Sequence, residues 1–181
     1  MPDRARDSIP VRQCSERDIP VMFAVINDAA RAYKGVIPAD RWHEPYMPME
    51  ELQSEIADGV RFWGCERDGE LVAVMGIQDR GEVELIRHAY VRTDLRNQGL
   101  SSRLLKHLEG LGTRPLLVGT WAAADWAIRF YEKHGYRLLS RPEIRRLLKR
   151  YWRIPERQVK TSVVLAGRSW TEDLRPCSGH R

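Results

Sequence analysis

Seven consecutive residues, Arg96-Asn97-Gln98-Gly99-Leu100-Ser101-Ser102, sit where a chain could hold an anion. They follow a strand-like apolar run, Leu85 to Val91, and lead straight into an amphipathic segment, so the order is strand, glycine turn, helix. The first N–H groups of a helix have no internal partner, and the helix dipole adds partial positive charge there. The expected guest is therefore a phosphate group, and a pyrophosphate best of all. The loop is not a Walker loop, because no Gly-Lys-Ser/Thr follows, and a single glycine does not make a dinucleotide fingerprint. Just upstream, Glu84 and His88 are candidates for proton transfer. They share strand parity and hence one face, unless a bulge intervenes. An imidazole titrating near ~6.5 suits His88 to accept a proton at neutral pH.

These groups need a sheet and helices to hold them. Ile9 to Gln13 reads as a first strand, and Ser15 with Asp18 as a capping-box-like start to a helix. Ile19, Phe23, Ile26 and Ala30 then recur at helical spacing. Tyr33 to Pro48 carries Gly35, three prolines, Trp42, His43, Glu44 and Tyr46, and reads as an ordered loop before a helix at Met49 to Asp58. Arg61 to Glu66 and Glu70 to Gln78 flank Asp68-Gly69, a hairpin signal. Next come a strand at Glu82 to Val91 and a helix at Gly99 to Leu111, whose Leu100, Leu104, Leu108 and Leu111 form an apolar stripe. A strand at Pro115 to Thr120 precedes a helix from Ala123 to His134, stopped at Gly135. Tyr136 to Leu139 reads as a strand and Pro142 to Tyr151 as a helix. Gln158 to Ala166 alternates Val159, Thr161, Val163 and Leu165 like a last strand. Residues 1–8 and the tail 167–181 are expected to be flexible, leaving one domain over 9–166.

A chain of 181 residues that is 43% hydrophobic suits one soluble domain. No apolar run approaches the ~20 residues of a membrane helix, and no membrane partner is expected. The first ten residues lack an apolar stretch, so no secretory signal is expected. Cys14, Cys65 and Cys177 form neither a disulfide framework nor a zinc pattern. They are expected to be free thiols without a catalytic role, in a reducing cytoplasm, and no metal site is expected. The net charge of +5 reflects scattered basic residues with one cluster at Arg145, Arg146, Lys149, Arg150 and Arg153. That cluster reads as a solvated helix face rather than a nucleic-acid patch.

Residues 84–105 resemble the acyl-CoA-binding motif of the GNAT superfamily (GCN5-related N-acetyltransferases). That motif is Gln/Arg-x-x-Gly-x-Gly/Ala after a strand with a Val five residues before the Arg. Arg96, Gly99 and Val91 match, and Ser101 stands where the family usually has Gly or Ala. Downstream, Ala124 to Tyr136 resembles the family's Asn-x-x-Ala-x-x-Phe-Tyr-x-x-x-Gly-Phe/Tyr. Ala127, Phe130, Tyr131, Gly135 and Tyr136 fit, while Ala124 replaces the frequent Asn.

The resemblance implies a mixed α/β fold: a central, mostly antiparallel sheet, splayed at the cofactor strand and flanked by helices. It implies direct acetyl transfer from acetyl-CoA to a primary amine on a small molecule or a protein. The pyrophosphate would lie on the N–H groups of Arg96 to Ser102. The pantetheine arm would run along Ala89, Tyr90 and Val91, beside the helix bearing Ala124, Ala127 and Tyr131. Backbone N–H groups near Val91 would receive the oxyanion. Tyr131 matches the tyrosine that serves the family as general acid, and a phenol near ~10 is protonated at neutral pH. Glu84 lies one residue from a position where some members carry a catalytic Glu. His88, then His43 and Glu44, or a water chain, are the other candidates for the base. Trp42, Tyr46 and Trp63 read equally as acceptor pocket or as core. Two other readings stay open: a non-catalytic acyl-CoA sensor, and acetylation of an aminoacyl-tRNA. A homodimer is also compatible with the sequence.

Overall fold

The computed structural model describes residues 9–171. Its element order is β1 (Val11–Gln13), α1 (Ile19–Ala30), α2 (Met49–Ala57), β2 (Arg61–Arg67), β3 (Glu70–Asp79) and β4 (Glu84–Val91). Then follow α3 (Leu100–Leu111), β5 (Leu116–Trp121), α4 (Asp125–Lys133), β6 (Arg137–Leu138), α5 (Arg141–Tyr151), α6 (Glu156–Thr161) and β7 (Ser162–Ala166). The strands form one sheet in the order β1-β2-β3-β4-β5-β7-β6. Every neighbouring pair is antiparallel except β4 with β5. This is the mixed α/β architecture expected from the sequence.

Local chemistry accounts for most of the elements. Asp18 accepts hydrogen bonds from the Ser15 N–H (2.7 Å) and hydroxyl (3.1 Å), closing the start of α1. Asp68 (φ 51) and Gly69 (φ 79) are both left-handed, the backbone a two-residue hairpin demands between twisted strands. Alternation then sorts the strands. Met75 and Ile86 belong to a core beneath Leu104, Leu105 and Leu108 of α3. Their neighbours in sequence point the other way: Val74 packs with Met22 and Leu52 of α1 and α2, and Leu85 with Leu147 and Leu148 of α5. Leu111, expected in the α3 stripe, is instead an exposed end residue, and Leu105 takes its place.

Two boundaries differ from the sequence reading. The alternation from Gln158 is not all strand, because Glu156–Thr161 is helical and only Ser162–Ala166 pairs with the sheet. The cause is long-range. The Arg141 guanidinium donates to the carbonyls of Val159 (3.1 Å), Lys160 (2.6 Å) and Ser162 (2.7 Å), acceptors that a helix end leaves free. The packed chain also runs past Ala166, since Trp170 is buried in the α5 core. The expectations for residues 1–8, and for Cys177 and the rest of the tail, lie outside the described residues. Among the described residues no helix is long and apolar enough to cross a membrane.

The central feature is a parting of strands. β4 and β5 pair only at Glu84–Leu116, Leu85–Leu117 and Ile86–Val118. Beyond that, β4 stays with β3 as far as Val91, and β5 stays with β7 as far as Trp121. The predicted parity of Glu84 and His88 fails here. Arg87 faces Gly76 while Tyr90 faces Val74, so β4 holds one extra residue, and His88 takes φ 52 at the bulge. Glu84 lies at the closed end of the split, 5% exposed, and accepts the N–H groups of Thr113 (2.9 Å) and Arg114 (3.3 Å). It ties the start of β4 to the turn into β5 and does not line the opening, which corrects its reading as a base. Glu84→Ala would leave two N–H groups without this acceptor and should lower stability by about 2 kcal/mol. Thermal melts should show a Tm lowered by roughly 4–8 °C, with CoA affinity in calorimetry unchanged.

Candidate active site

The parted strands enclose a cleft of about 560 Å³. His88, Ala89 and Tyr90 form its β4 wall, and Gly119, Thr120 and Trp121 its β5 wall. Ala127 and Tyr131 of α4 and Glu51 and Glu55 of α2 complete the inner lining. Gly119 is needed on the β5 side, because a Cβ there would come within 3.1 Å of the Trp152 ring. The Tyr33–Pro48 loop supplies an aromatic cap. The Tyr33 ring packs edge-on against Tyr90 of β4 at 6.4 Å, at the mouth of the gap. The Trp121 indole N–H donates to the Tyr46 hydroxyl at 2.9 Å, and burial pushes the Tyr46 phenol up to about 12. Trp42 stacks 5.7 Å behind Tyr46 and does not line the cleft. Trp63 lies 4.6 Å from the His107 ring under α3, so it is core.

The ionisable groups within the cleft form a network that sequence reasoning found only in part. Asp58, at the end of α2, takes the amide of fully buried Gln78. The Gln78 carbonyl receives Arg87 Nη1 at 2.8 Å, and Arg87 Nη2 donates to Glu55 Oε1 at 2.9 Å. His88 Nε2 is 3.3 Å from Glu55 Oε2 but outside hydrogen-bonding angles, so both atoms are buried without an aligned partner among the described residues. Burial lowers the His88 pKa and Glu55 opposes it only in part, so the imidazole is neutral at pH 7. Burial alone would raise the Glu55 carboxyl, but His88 and Arg87 outweigh it and the net shift is downward. Glu55 escaped the sequence reading because a glutamate on an amphipathic helix looks solvated. Its spacing of one turn from Glu51 was the only hint. Tyr131 is 4% exposed, and burial, with the Tyr33 dipole nearby, raises its pKa. His43 also lines the cleft, stacked 6.3 Å from Tyr46, while Glu44 pairs with Lys34 on the outside.

The anion loop has the expected backbone. Asn97 (φ 61) and Gly99 (φ 79) are left-handed, and no described side chain caps α3. Its first internal bond, Arg103 N–H to Gly99 O at 3.0 Å, leaves the Leu100, Ser101 and Ser102 N–H groups as the open first turn. A Cβ on Gly99 would meet nothing within 4 Å, so a phosphate can approach closely. Arg96 turns its guanidinium back to the Ala29 carbonyl at 3.2 Å and fastens the loop to α1, while Gln98 stays exposed. The β5-facing edge of β4 from Arg87 to Val91 has no strand on it, as a pantetheine arm laid beside Ala89 and Tyr90 would require. Ala124 does not face that edge, since it is fully buried with Ile37 and Trp121. Cys14 and Cys65 are free thiols raised by burial to about 12 and about 11, away from the cleft lining. The basic cluster is largely ion-paired: Arg145 and Lys149 share Glu156 at 3.0 Å, and Arg150 holds Glu82 at 2.7 Å.

The profile of the acetyltransferase (GNAT) domain matches residues 25–149. This chain belongs to the GNAT family. Solved structures share its fold. One is the PaiA N-acetyltransferase of Thermoplasma acidophilum in complex with coenzyme A, with a TM-score of 0.68 and 16% identity over 88% of this chain and 98% of that one. Another is the ribosomal-protein-S18-alanine N-acetyltransferase of Escherichia coli, at 0.63 and 17% over 92% and 99%. A third is the N-acetylglutamate synthase of Neisseria gonorrhoeae, complexed with coenzyme A and N-acetyl-glutamate, at 0.60 and 21% over 90% of this chain and 35% of that one. No curated protein sequence matches the chain.

The 96–102 loop can be probed at Gly99. Valine there would face both the left-handed backbone and the incoming phosphates. In calorimetry Gly99→Val should weaken CoA binding by about tenfold or more, roughly the loss of one charge-assisted hydrogen bond, in a protein that still melts cooperatively. Unchanged affinity in the folded variant would place the pyrophosphate elsewhere.

Proposed function

We propose that this protein is an acyl-CoA-dependent N-acetyltransferase that transfers acetyl from acetyl-CoA to a primary amine by direct attack. One observation carries the reading: the split between β4 and β5 brings a buried phenol, Tyr131, and a half-buried Glu55–His88 pair to the walls of one cleft. The family membership and the fold shared with CoA-bound acetyltransferases support it. The N–H groups at the start of α3 would hold the pyrophosphate, and the free edge of β4 the pantetheine. The bound thioester supplies the activated acetyl group. The free, protonated thiols of Cys14 and Cys65 suit a reducing cytoplasmic setting and direct transfer without an acyl-cysteine.

Each residue then has one task. Neutral His88, beside Glu55, takes a proton from the acceptor ammonium, freeing the nitrogen lone pair. The nitrogen bonds to the thioester carbonyl carbon, and the carbonyl electrons move onto oxygen, where β4 N–H groups near Val91 receive the charge. When the carbonyl reforms, the C–S bond breaks and its electron pair leaves on sulfur. The second amine proton passes to solvent. Tyr131 donates a hydrogen bond to that sulfur. With its pKa raised above that of a thiol, complete proton transfer is uphill, so solvent finally protonates the thiolate.

Thiol release from acetyl-CoA across a panel of primary amines tests the activity. CoA binding with no release on any amine would favour a sensor instead. Tyr131→Phe removes only the hydroxyl and should lower kcat by about 10- to 100-fold, the worth of one hydrogen bond to a charged group, with little change in CoA binding or melting temperature. Parental turnover in that variant would leave Tyr131 a packing residue. The pH dependence follows from His88. Its depressed pKa means that protonation, and loss of the base, comes only below the ordinary value near ~6.5. The acid limb of kcat/KM should therefore fall below that pH, and His88→Gln should abolish it. A limb unchanged in that variant would assign the base to another group.

A further inference from the structure

The cleft has a charge that no described residue answers. Of its cations, Arg80 is held by Asp58 at 2.8 Å, Arg87 by Glu55 at 2.8 Å, and Arg153 reaches Asp58 at 3.7 Å. Arg41 lines the same cleft yet forms no side-chain hydrogen bond or ion pair with any described residue, and its Nε is buried. The turn that carries it, Ala39–Arg41, is joined to α6 at the surface by an ion pair of Asp40 with Arg157 at 2.8 Å. A buried guanidinium N–H without an acceptor is unfavourable unless a ligand supplies one. The cofactor's phosphates are not that ligand, because no residue of the 96–102 loop lines this cleft.

Another wall of the cleft carries the opposite charge. Glu51 of α2 lines it without pairing to a described cation, close enough to bear on Tyr46, His88 and Tyr90. The cleft therefore presents an unpaired cation and, near the proposed base, an unpaired anion. Its volume of about 560 Å³ suits a small molecule.

We propose that the acceptor is a small primary amine that also carries a carboxylate, of the free amino acid class. The Arg41 guanidinium takes the carboxylate through its planar pair of donors. Glu51 draws the ammonium end toward Glu55 and His88, where it loses its proton and attacks. This assignment rests on the acetyl-transfer reading for its chemistry, but the recognition it describes is measurable without turnover.

The test is calorimetry on CoA-saturated protein with matched probes: free L-amino acids, their amides and their decarboxylated amines. At least one acid should bind about 10- to 100-fold tighter than its amide, the worth of a charge-assisted pair. Arg41→Gln should erase that difference, and Arg41→Lys should restore part of it, with CoA affinity unchanged in both. The proposal is overturned if no acid binds, if amides bind as well as acids throughout, or if Arg41→Gln keeps the preference. Thiol release is followed in parallel. Acid-selective binding without release would defeat the acetyl-transfer reading and leave the carboxylate site standing.

Discussion

A sheet normally holds together because each strand edge satisfies its neighbour's backbone groups. Here β4 and β5 keep that contract for three residue pairs and then separate. Much of the working structure depends on this. The separation creates the cleft, frees one edge of β4, and lets residues of α2 and α4 share one space. It is held from both ends. Glu84 locks the closed end through two backbone N–H groups, and the Tyr33 ring packs against Tyr90 at the open end. Two dry cores on opposite faces, under α3 and under α5, keep the diverging halves from closing.

Within the cleft, charge is arranged as a relay of fixed contacts. Asp58, Gln78, Arg87 and Glu55 form an unbroken line running from the surface through buried Gln78 to half-buried Glu55, and His88 stands at its end. Each member is oriented by the one before, so Glu55 has little rotational freedom near His88. Orientation of this kind is what the role proposed for His88 would require. The aromatic cap acts differently. Tyr46, Trp121 and Tyr33 present hydroxyls and ring faces rather than charge, which keeps the field at the cleft dominated by its few ions.

The fold was legible because its signals were local. Asp68-Gly69, the Ser15–Asp18 cap and the leucines of α3 each act within a few residues of chain, and strand parity sorted Leu85 from Ile86. The strand–glycine turn–helix at Gly99 was legible for the same reason. The site itself was read less well. Glu84 and His88 looked equivalent by alternation, and a single extra residue in β4 sent one to the closed end and left the other in the cleft. Arg41 carried no signal, and Glu55 only a faint one: one glutamate among three on a short helix, one turn from Glu51, and one arginine in a proline-rich loop. The helical turn before β7 was hidden because Arg141, the residue that stabilises it, lies some twenty positions upstream.

His88 occupies a left-handed conformation that a residue with a Cβ adopts at an expense of about 1–2 kcal/mol. Glycine or asparagine would fit that backbone more comfortably. Selection for thermal robustness alone would thus drive the position away from histidine, and selection for an oriented imidazole would drive it back. If His88 has the role proposed for it, the bulge is where relatives that lost the activity should drift first. A retained β4 bulge occupied by glycine or asparagine would be the mark of a descendant that kept the scaffold and gave up the chemistry.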